Sequence, residues 1–254
     1  GARTMSVSEM TQSIYPDDRD RVLTGYHRAI REGDRWSDEY RFLCADGRYL
    51  PVLDRGHVIR NAAGTPVRMV GGMSDLTATK KSEFDLARLN RALKMLSAAN
   101  EAVTRAASEN DLLTEICRLA VEIGGYRLAW VGYARDDAAR SIQPMASAGE
   151  RRDYLDVIRL SWDENDPTGK GPGGRTIRTG RAVVFRDIVG EPEFLAWVDQ
   201  ATSRGFRSVI CLPLRDGERV FGLLALYSQE ILTAADDEIE LLQRLADDLS
   251  FGIG

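Results

Sequence analysis

Histidine is almost missing from this sequence. His27 and His57 are the only two among 254 residues, and cysteine is confined to Cys44, Cys117 and Cys211, with no Cys-x-x-Cys spacing. A zinc centre of nitrogen and sulfur ligands has too little to draw on, so no metal site is expected. Three scattered thiols, an odd number, argue against a disulfide framework and for a reducing compartment. Long apolar runs are lacking too. The longest, such as Val220 to Tyr227, fall far short of the roughly 20 residues that cross a bilayer. No charged-then-apolar leader opens the chain, and a cytoplasmic location is expected. Excess positive charge is also absent. A net charge of −5 with both signs interspersed argues against nucleic acid as the main partner, because neutralising phosphates needs a basic surface. The four residues ahead of Met5 read as an expression remnant, and residues 1–13 as a tail.

What is present suits a globular chain with room for two modest cores: 43% hydrophobic and 29% charged residues. Tyr15-Pro-Asp-Asp-Arg19 opens a helix that runs to about Glu32, with proline and carboxylates in its first turn and Val22, Tyr26, Ala29 and Ile30 at helical spacing. Three strand-like runs follow. Trp36 to Ala45 turns at Asp46-Gly47. Tyr49 to Arg60 puts Val52, Asp54, Gly56 and Val58 on one face. Val67 to Ser74 comes after the turn at Asn61 to Gly64. Pro51 inside the second run predicts an edge or a bulge.

From Asp75 to about Ala107 the period becomes helical. Leu86, Leu89, Leu93, Leu96, Asn100 and Val103 alternate by three and four, a heptad seam of about three repeats that predicts a homodimer, with one asparagine fixing register. The alternative is a helix packing on its own domain. Ser108 to Asp111 reads as an N-cap before Leu112, Leu113, Ile116, Leu119 and Ala120. A hairpin over Tyr126 to Ala148 comes next, then a glycine-rich stretch from Asp166 to Gly174 leading into a short helix. A strand at Ala182 to Arg186, a helix over Glu191 to Arg204 and a second hairpin turning at Asp216-Gly217 follow. A last helix opens near Thr233 and carries Ile239, Leu242, Leu245 and Leu249.

Tyr15-Pro-Asp-Asp-Arg19, Trp36-Ser-Asp-Glu-Tyr-Arg41, Ala45-Asp-Gly-Arg48 and Asp75-Leu-Thr77 resemble the C-terminal half of PAS domains, over residues 14–79. The resemblance implies a helix, three strands and a closing Asp-x-Thr before a signalling helix at 80–107. Tyr15 stands where that family usually has histidine. There is no room before Ile14 for the first two PAS strands, which leaves the third strand with an unpaired edge; either the sequence begins inside the domain or a partner chain covers that edge. Residues 108–254 resemble a GAF domain with a C-terminal signalling helix. Arg207-Ser-Val-Ile-Cys-Leu-Pro-Leu214, Gly222-Leu-Leu-Ala-Leu-Tyr227, Gly174-Arg-Thr-Ile-Arg-Thr-Gly180 and Val184-Phe-Arg-Asp187 carry that resemblance. The expected fold class is α+β: a partial PAS-like antiparallel meander, a long connecting helix, then a GAF-like antiparallel sheet flanked by helices.

The chemistries of such proteins can be tested against the residues. The connecting helix has no histidine for phosphotransfer, Gly71-Gly72 is followed by Met73 rather than by a cyclase turn, and Glu240-Leu-Leu242 lies on the last helix. The GAF-like region lacks a histidine for haem or a bilin, and also the Asn-Lys-x-x-x-Phe-x-x-x-Asp-Glu pattern of its cyclic-nucleotide binders. Cys44 sits on a strand, whereas the flavin-adduct cysteine of light-sensing PAS domains belongs on the preceding helix. Cys117 and Cys211 fall on apolar faces, which disfavours a cysteine-dependent redox enzyme. No catalytic residue and no cofactor are therefore expected. The candidate ligand residues are Trp130, Tyr133, Trp162 and Trp197, with Phe206 beside them, and Arg175, Arg178 and Arg207 near the glycine-rich loop, whose amides could hold an anion at a helix start. The resulting expectation is a non-catalytic sensory module of the two-component or cyclic di-GMP kind. It would bind a small ligand or partner and relay the change through dimeric helices to an output domain beyond this sequence. The alternatives are a ligand-free dimerisation spacer and a redox enzyme at Cys117 or Cys211.

Overall fold

The computed structural model describes residues 7–232 and 236–253. The chain divides into two compact units, the first ending at Phe84 and the second beginning at Asp85. The residues ahead of Val7, including the presumed remnant, and the expected helix opening near Thr233 lie outside the described residues. No described helix is long and apolar enough to cross a membrane.

In the first unit α1 (Val7–Ser13) occupies part of what reads as a tail, and α2 (Pro16–Glu32) follows with proline at its start. Strands β1 (Arg35–Leu43), β2 (Tyr49–Arg60) and β3 (Pro66–Asp75) form an antiparallel sheet in the order β1-β2-β3. The alternation read on β2 holds: Val52, Asp54 and Val58 are buried. Ile14, Val22, Trp36, Tyr40 and Val52 make the core. A carboxylate inside such a core needs partners, and Asp54 accepts from Trp36 Nε1 at 3.2 Å and from the Tyr40 hydroxyl at 2.8 Å.

Pro51 lies on the central strand, neither at an edge nor at a bulge. It pairs with Arg41 on β1, and its carbonyl accepts from Leu76 N just past the end of β3. Its missing N–H points to that same side, where the ladder to β3 has run out. The only register shift in this sheet falls at Ile59/Arg60. Tyr15, in the position usually given to histidine, packs edge-on to Tyr49 and under the Arg41 guanidinium.

In the second unit α3 (Thr77–Arg105), which begins in the first, continues to a cap-defined α4 (Glu109–Glu122). Ser108 Oγ accepts from Asp111 N at 3.2 Å and donates to the Asp111 carboxylate at 2.8 Å, the reciprocal arrangement expected of a helix start. Strands β4 (Leu128–Ala134), β5 (Ile142–Gly149), β6 (Val183–Phe185), β7 (Ser208–Asp216) and β8 (Arg219–Ser228) form one antiparallel sheet in the order β5-β4-β8-β7-β6. Helix α8 (Asp236–Ile253) closes the unit.

Both faces of this sheet are buried along its central strands. Ala129, Val131, Ile210, Leu212, Leu214, Leu224 and Leu226 face α3, α4 and α8. Leu128, Trp130, Val209, Cys211, Leu223, Ala225 and Tyr227 face a layer of loops and short helices: α5 (Tyr154–Val157), α6 (Pro172–Thr179) and α7 (Val198–Ser203). Each large apolar side chain so buried contributes about 1.5–3 kcal/mol. The single helix expected over Glu191 to Arg204 is instead one 3-10 turn (Pro192–Phe194) followed by the short α7. The chain bends because Phe194 and Trp197 both bury in the loop-side core, and the Trp197 indole donates to Arg159 O.

Helix α3 buries Arg88, Ala92, Met95 and Ala99. Met95 and Ala99 join the helix-side core, and Leu96 and Val103 pack against it. The heptad stripe is therefore not one free seam. Leu89 is half-buried, while Leu86 (62% exposed), Leu93 (48%) and Asn100 face outward.

The first unit carries a pH-sensitive tie. Asp18 accepts from Arg41 N (3.0 Å), Nε (2.8 Å) and Nη2 (2.9 Å), joining α2 to β1, and this pairing lowers the Asp18 carboxyl to a pKa of about 2 from its ordinary 3.8. A carboxyl depressed on folding stabilises fully above its unfolded value, and that contribution disappears as pH falls through its folded value. Asp18→Asn should cost this unit about 1 kcal/mol at neutral pH. It should also flatten the loss of amide-exchange protection in β1 that the unsubstituted protein shows between about pH 4 and pH 2.

Candidate functional site

A small cavity lies between the loop-side face of the second unit's sheet and the segments that cover it. Trp130 on β4, Cys211 on β7 and Tyr227 on β8 form the floor; Tyr154 from α5, Phe194 and Trp197 form the roof, and Gly171 to Gly174 form one wall. It offers about 20 Å³ to a water-sized sphere, where one water needs roughly 10–15 Å³.

The aromatic groups are fixed by one another. Tyr154, Phe206 and Tyr227 pack mutually with ring centroids 5.0–5.5 Å apart, and Phe194 lies 5.6 Å from Trp197. Close approach dictates the glycine-rich wall. A methyl on Gly171 would stand 2.3 Å from the Trp197 ring, and one on Gly169 would stand 1.7 Å from Asp163 O.

Two polar groups in this lining have no hydrogen-bond partner. Trp130 is 1% exposed and Tyr154 is 0% exposed, yet the Trp130 indole N–H and the Tyr154 hydroxyl are both unsatisfied. The Tyr227 hydroxyl lies beside both and interacts with each as a weak hydrogen-bond neighbour, though neither contact reaches full hydrogen-bond geometry. Burial pushes the Tyr154 and Tyr227 phenols well above their ordinary range, so both stay protonated.

The residues expected to bind a ligand divide. Trp130 and Trp197 line the cavity. Tyr133, three residues on from Trp130, faces the helix side, where it meets Phe221 and donates to the Glu109 carboxylate. Trp162 lies outside the lining; its indole donates to Arg135 O, and Arg140 stacks on it. The arginines are spoken for: Arg175 pairs with Glu193, Arg207 pairs with Asp187 at 2.9 Å, and Arg178 donates to Trp162 O and Gly169 O at 2.8 and 2.7 Å. Arg178 is thus a strut of the glycine-rich wall rather than a solvated cation. The anion site read at the start of α6 loses its cations. Tyr154, Phe194 and Tyr227 were not legible as lining. Tyr154 follows Arg151-Arg152-Asp153, which looks exposed, and Tyr227 reaches the site only through the register that pairs Trp130 with Ala225.

The thiols are thiols. Cys211 lines the cavity and Cys117 packs in the helix-side core; burial pushes Cys117 up to about 12 and Cys211 well above its ordinary range.

The profile of the GAF domain matches residues 106–253, and that of the PAS fold matches residues 3–73. This chain belongs to the GAF family. Its GAF unit resembles the GAF domain of a phosphoenolpyruvate-protein phosphotransferase from Coxiella burnetii (TM-score 0.54, 17% identity, 65% of this chain and 94% of that one). It also resembles a free methionine-R-sulfoxide reductase from Neisseria meningitidis, solved with its substrate (TM-score 0.53, 19% identity, 64% and 87%). Across 235 residues the chain is 24% identical to the methyl sulfide methyltransferase-associated sensor of Methanosarcina acetivorans. That match takes in 92% of this chain but only 22% of that sensor's length. The expectation of a module without catalysis is corrected here. The fold that this GAF unit shares is also the fold of an enzyme, so membership of the family does not exclude chemistry.

The unsatisfied hydroxyl gives a direct check on the cavity. If Tyr154 OH served only packing through a hidden hydrogen bond, Tyr154→Phe would cost about 1 kcal/mol. The expected result is no loss, or a gain, in the thermal stability of the ligand-free protein, because the substitution removes a buried group with no partner.

Proposed function

We propose that this chain is a sensory and regulatory module of a larger signalling protein. Its GAF unit binds a small molecule in the cavity, and the change passes through α3 and α8 to an output domain. The observation that carries this reading is that the cavity floor and the helix-side core are opposite faces of the same strands. A ligand that moves Cys211 or Tyr227 by a fraction of an ångström acts on Leu212 or Leu226 next to them. The pairing of a PAS fold with a GAF domain supports the reading, as does the sensor that matches this chain over most of its length. Output of the two-component or cyclic di-GMP kind is part of the proposal by resemblance alone.

The relay has a physical candidate. Arg88 on α3 and Glu238 on α8 form a buried fork at 3.0 and 3.3 Å. Burial raises the Glu238 carboxyl while Arg88 draws it down. Such a pair is costly to break, so α3 and α8 shift together. A signal needs two arrangements of these helices, one of which binds the ligand better.

Leu86, Leu93 and Asn100, spaced by seven and facing outward, supply the surface for two-fold pairing of α3. Light scattering at micromolar concentration should give a dimer. Leu86→Glu with Leu93→Glu should give a monomer of unchanged helicity. A strict monomer without substitution would remove the two-fold relay.

A second reading is that the cavity is a reaction site, favoured by the position of Cys211 in its lining and by the reductase of the same fold. Its raised thiol pKa weighs against ready thiolate formation. On this reading Cys211→Ser abolishes dithiol-dependent reduction of free methionine-R-sulfoxide, while Cys117→Ser preserves it.

A further inference from the structure

The chemistry of the cavity lining limits what it can hold. An orphaned polar group in a protein interior costs about 1–3 kcal/mol. Two sit together here, the Trp130 indole N–H and the Tyr154 hydroxyl. The indole can only donate, and the phenol donates readily. Of the other hydroxyls of the lining, that of Tyr227 lies beside these two donors, and those of Ser161 and Thr168 are already used. Ser161 Oγ donates to Ala139 O at 2.9 Å and accepts from Asp163 N, and Thr168 Oγ1 donates to Asp166 Oδ1 at 2.8 Å.

The rest of the lining is apolar or glycine. Ile142, Leu160, Phe194 and Trp197 surround the two donors, and among the described residues no charged side chain lines the cavity. An ion entering it would lose its hydration without gaining a counter-charge, a cost of several kcal/mol. The unused donors instead ask for an acceptor.

Building on the reading of this cavity as a ligand site, we infer that it takes an uncharged molecule of a few heavy atoms. Its single accepting oxygen, of carbonyl or amide type, is held by Trp130 Nε1 and Tyr154 OH, and its small apolar body lies against Phe194 and Trp197. This differs from the anion, or arginine-held ligand, that the sequence suggests around Gly169 to Gly174. The cavity as it stands has room for little more than one water, so such a molecule enters only as the loop-side roof over it gives way; its neutrality follows from the missing counter-charge.

The test uses two pairs of probes with matched shape: acetamide against acetate, and acetone against acetamidinium. Each is titrated into the full chain while the indole N–H resonances are followed by NMR, with Trp130 assigned by Trp130→Phe. The expected result is a saturable shift of the Trp130 resonance with acetamide and acetone and none with either ion. Tyr154→Phe should weaken the neutral probes by about tenfold. If Trp130→Phe does not fold, Tyr154→Phe alone carries the test, with the resonance assigned through the other tryptophans.

An acetate response equal to or stronger than that of acetamide would overturn the inference. So would the absence of any response, which would leave a cavity for water alone. Saturation by acetamide with the amides of α8 unmoved would sustain the ligand class and overturn the relay. The two claims therefore fail separately.

Discussion

The second unit depends on a sheet whose central strands have no solvent face. Antiparallel sheets commonly bury one side and wet the other. Here the central stretches of β4, β7 and β8 bury both, so each large apolar residue along them is committed to one of two cores, while the hairpin end at Arg215, Asp216 and Arg219 faces solvent. On β7, Ile210, Leu212 and Leu214 go to the helices while Val209 and Cys211 go to the loops; on β8, Leu224 and Leu226 oppose Leu223, Ala225 and Tyr227. A one-residue slip would exchange the two sets. Because interiors are close-packed, a small displacement on one face has few ways to be absorbed without moving the other.

The two faces are not equal. The helix side is packed from long regular elements and aliphatic side chains, with a buried ion pair at one end. The loop side is built from short pieces held by glycine contacts, aromatic edges and side-chain hydrogen bonds to backbone, such as Arg178 to Gly169 O and Trp197 to Arg159 O. The less regular side holds the cavity and its unsatisfied donors. Binding sites commonly fall on loops positioned by a rigid scaffold, and here the rigid part is the sheet and its helices.

Much of this was legible in the sequence. The run from Tyr49 to Arg60 matches β2, Ser108 caps α4 as its spacing implied, and the β1–β2 and β7–β8 hairpins turn at Asp46-Gly47 and Asp216-Gly217. These features are local, set by alternation, capping and turn chemistry. What depended on tertiary partners was less legible. The arginines announced charge, but their partners Glu193 and Asp187, and the carbonyls under Arg178, are distant in sequence. The leucine repeat of α3 was visible, yet the small residues Ala92 and Ala99, with Met95, decide which face packs inward. Tyr133 could have been separated from Trp130, since an odd spacing on a strand selects opposite faces. Tyr154 could not have been found without the fold.

The central claim, that the cavity and the helices share one mechanical element, can be tested without knowing a ligand. Gly173 lines the cavity, and a methyl there would sit 3.2 Å from Leu223 and 3.5 Å from Ile142, a tight fit that leans on the sheet from the loop side. Amide hydrogen exchange should be compared between the unsubstituted chain and Gly173→Ala. The expected result is altered protection in α8 and in the Arg88 to Val103 stretch of α3, as well as around the cavity. Changes confined to α5, α6, α7 and the strands beneath them would contradict it.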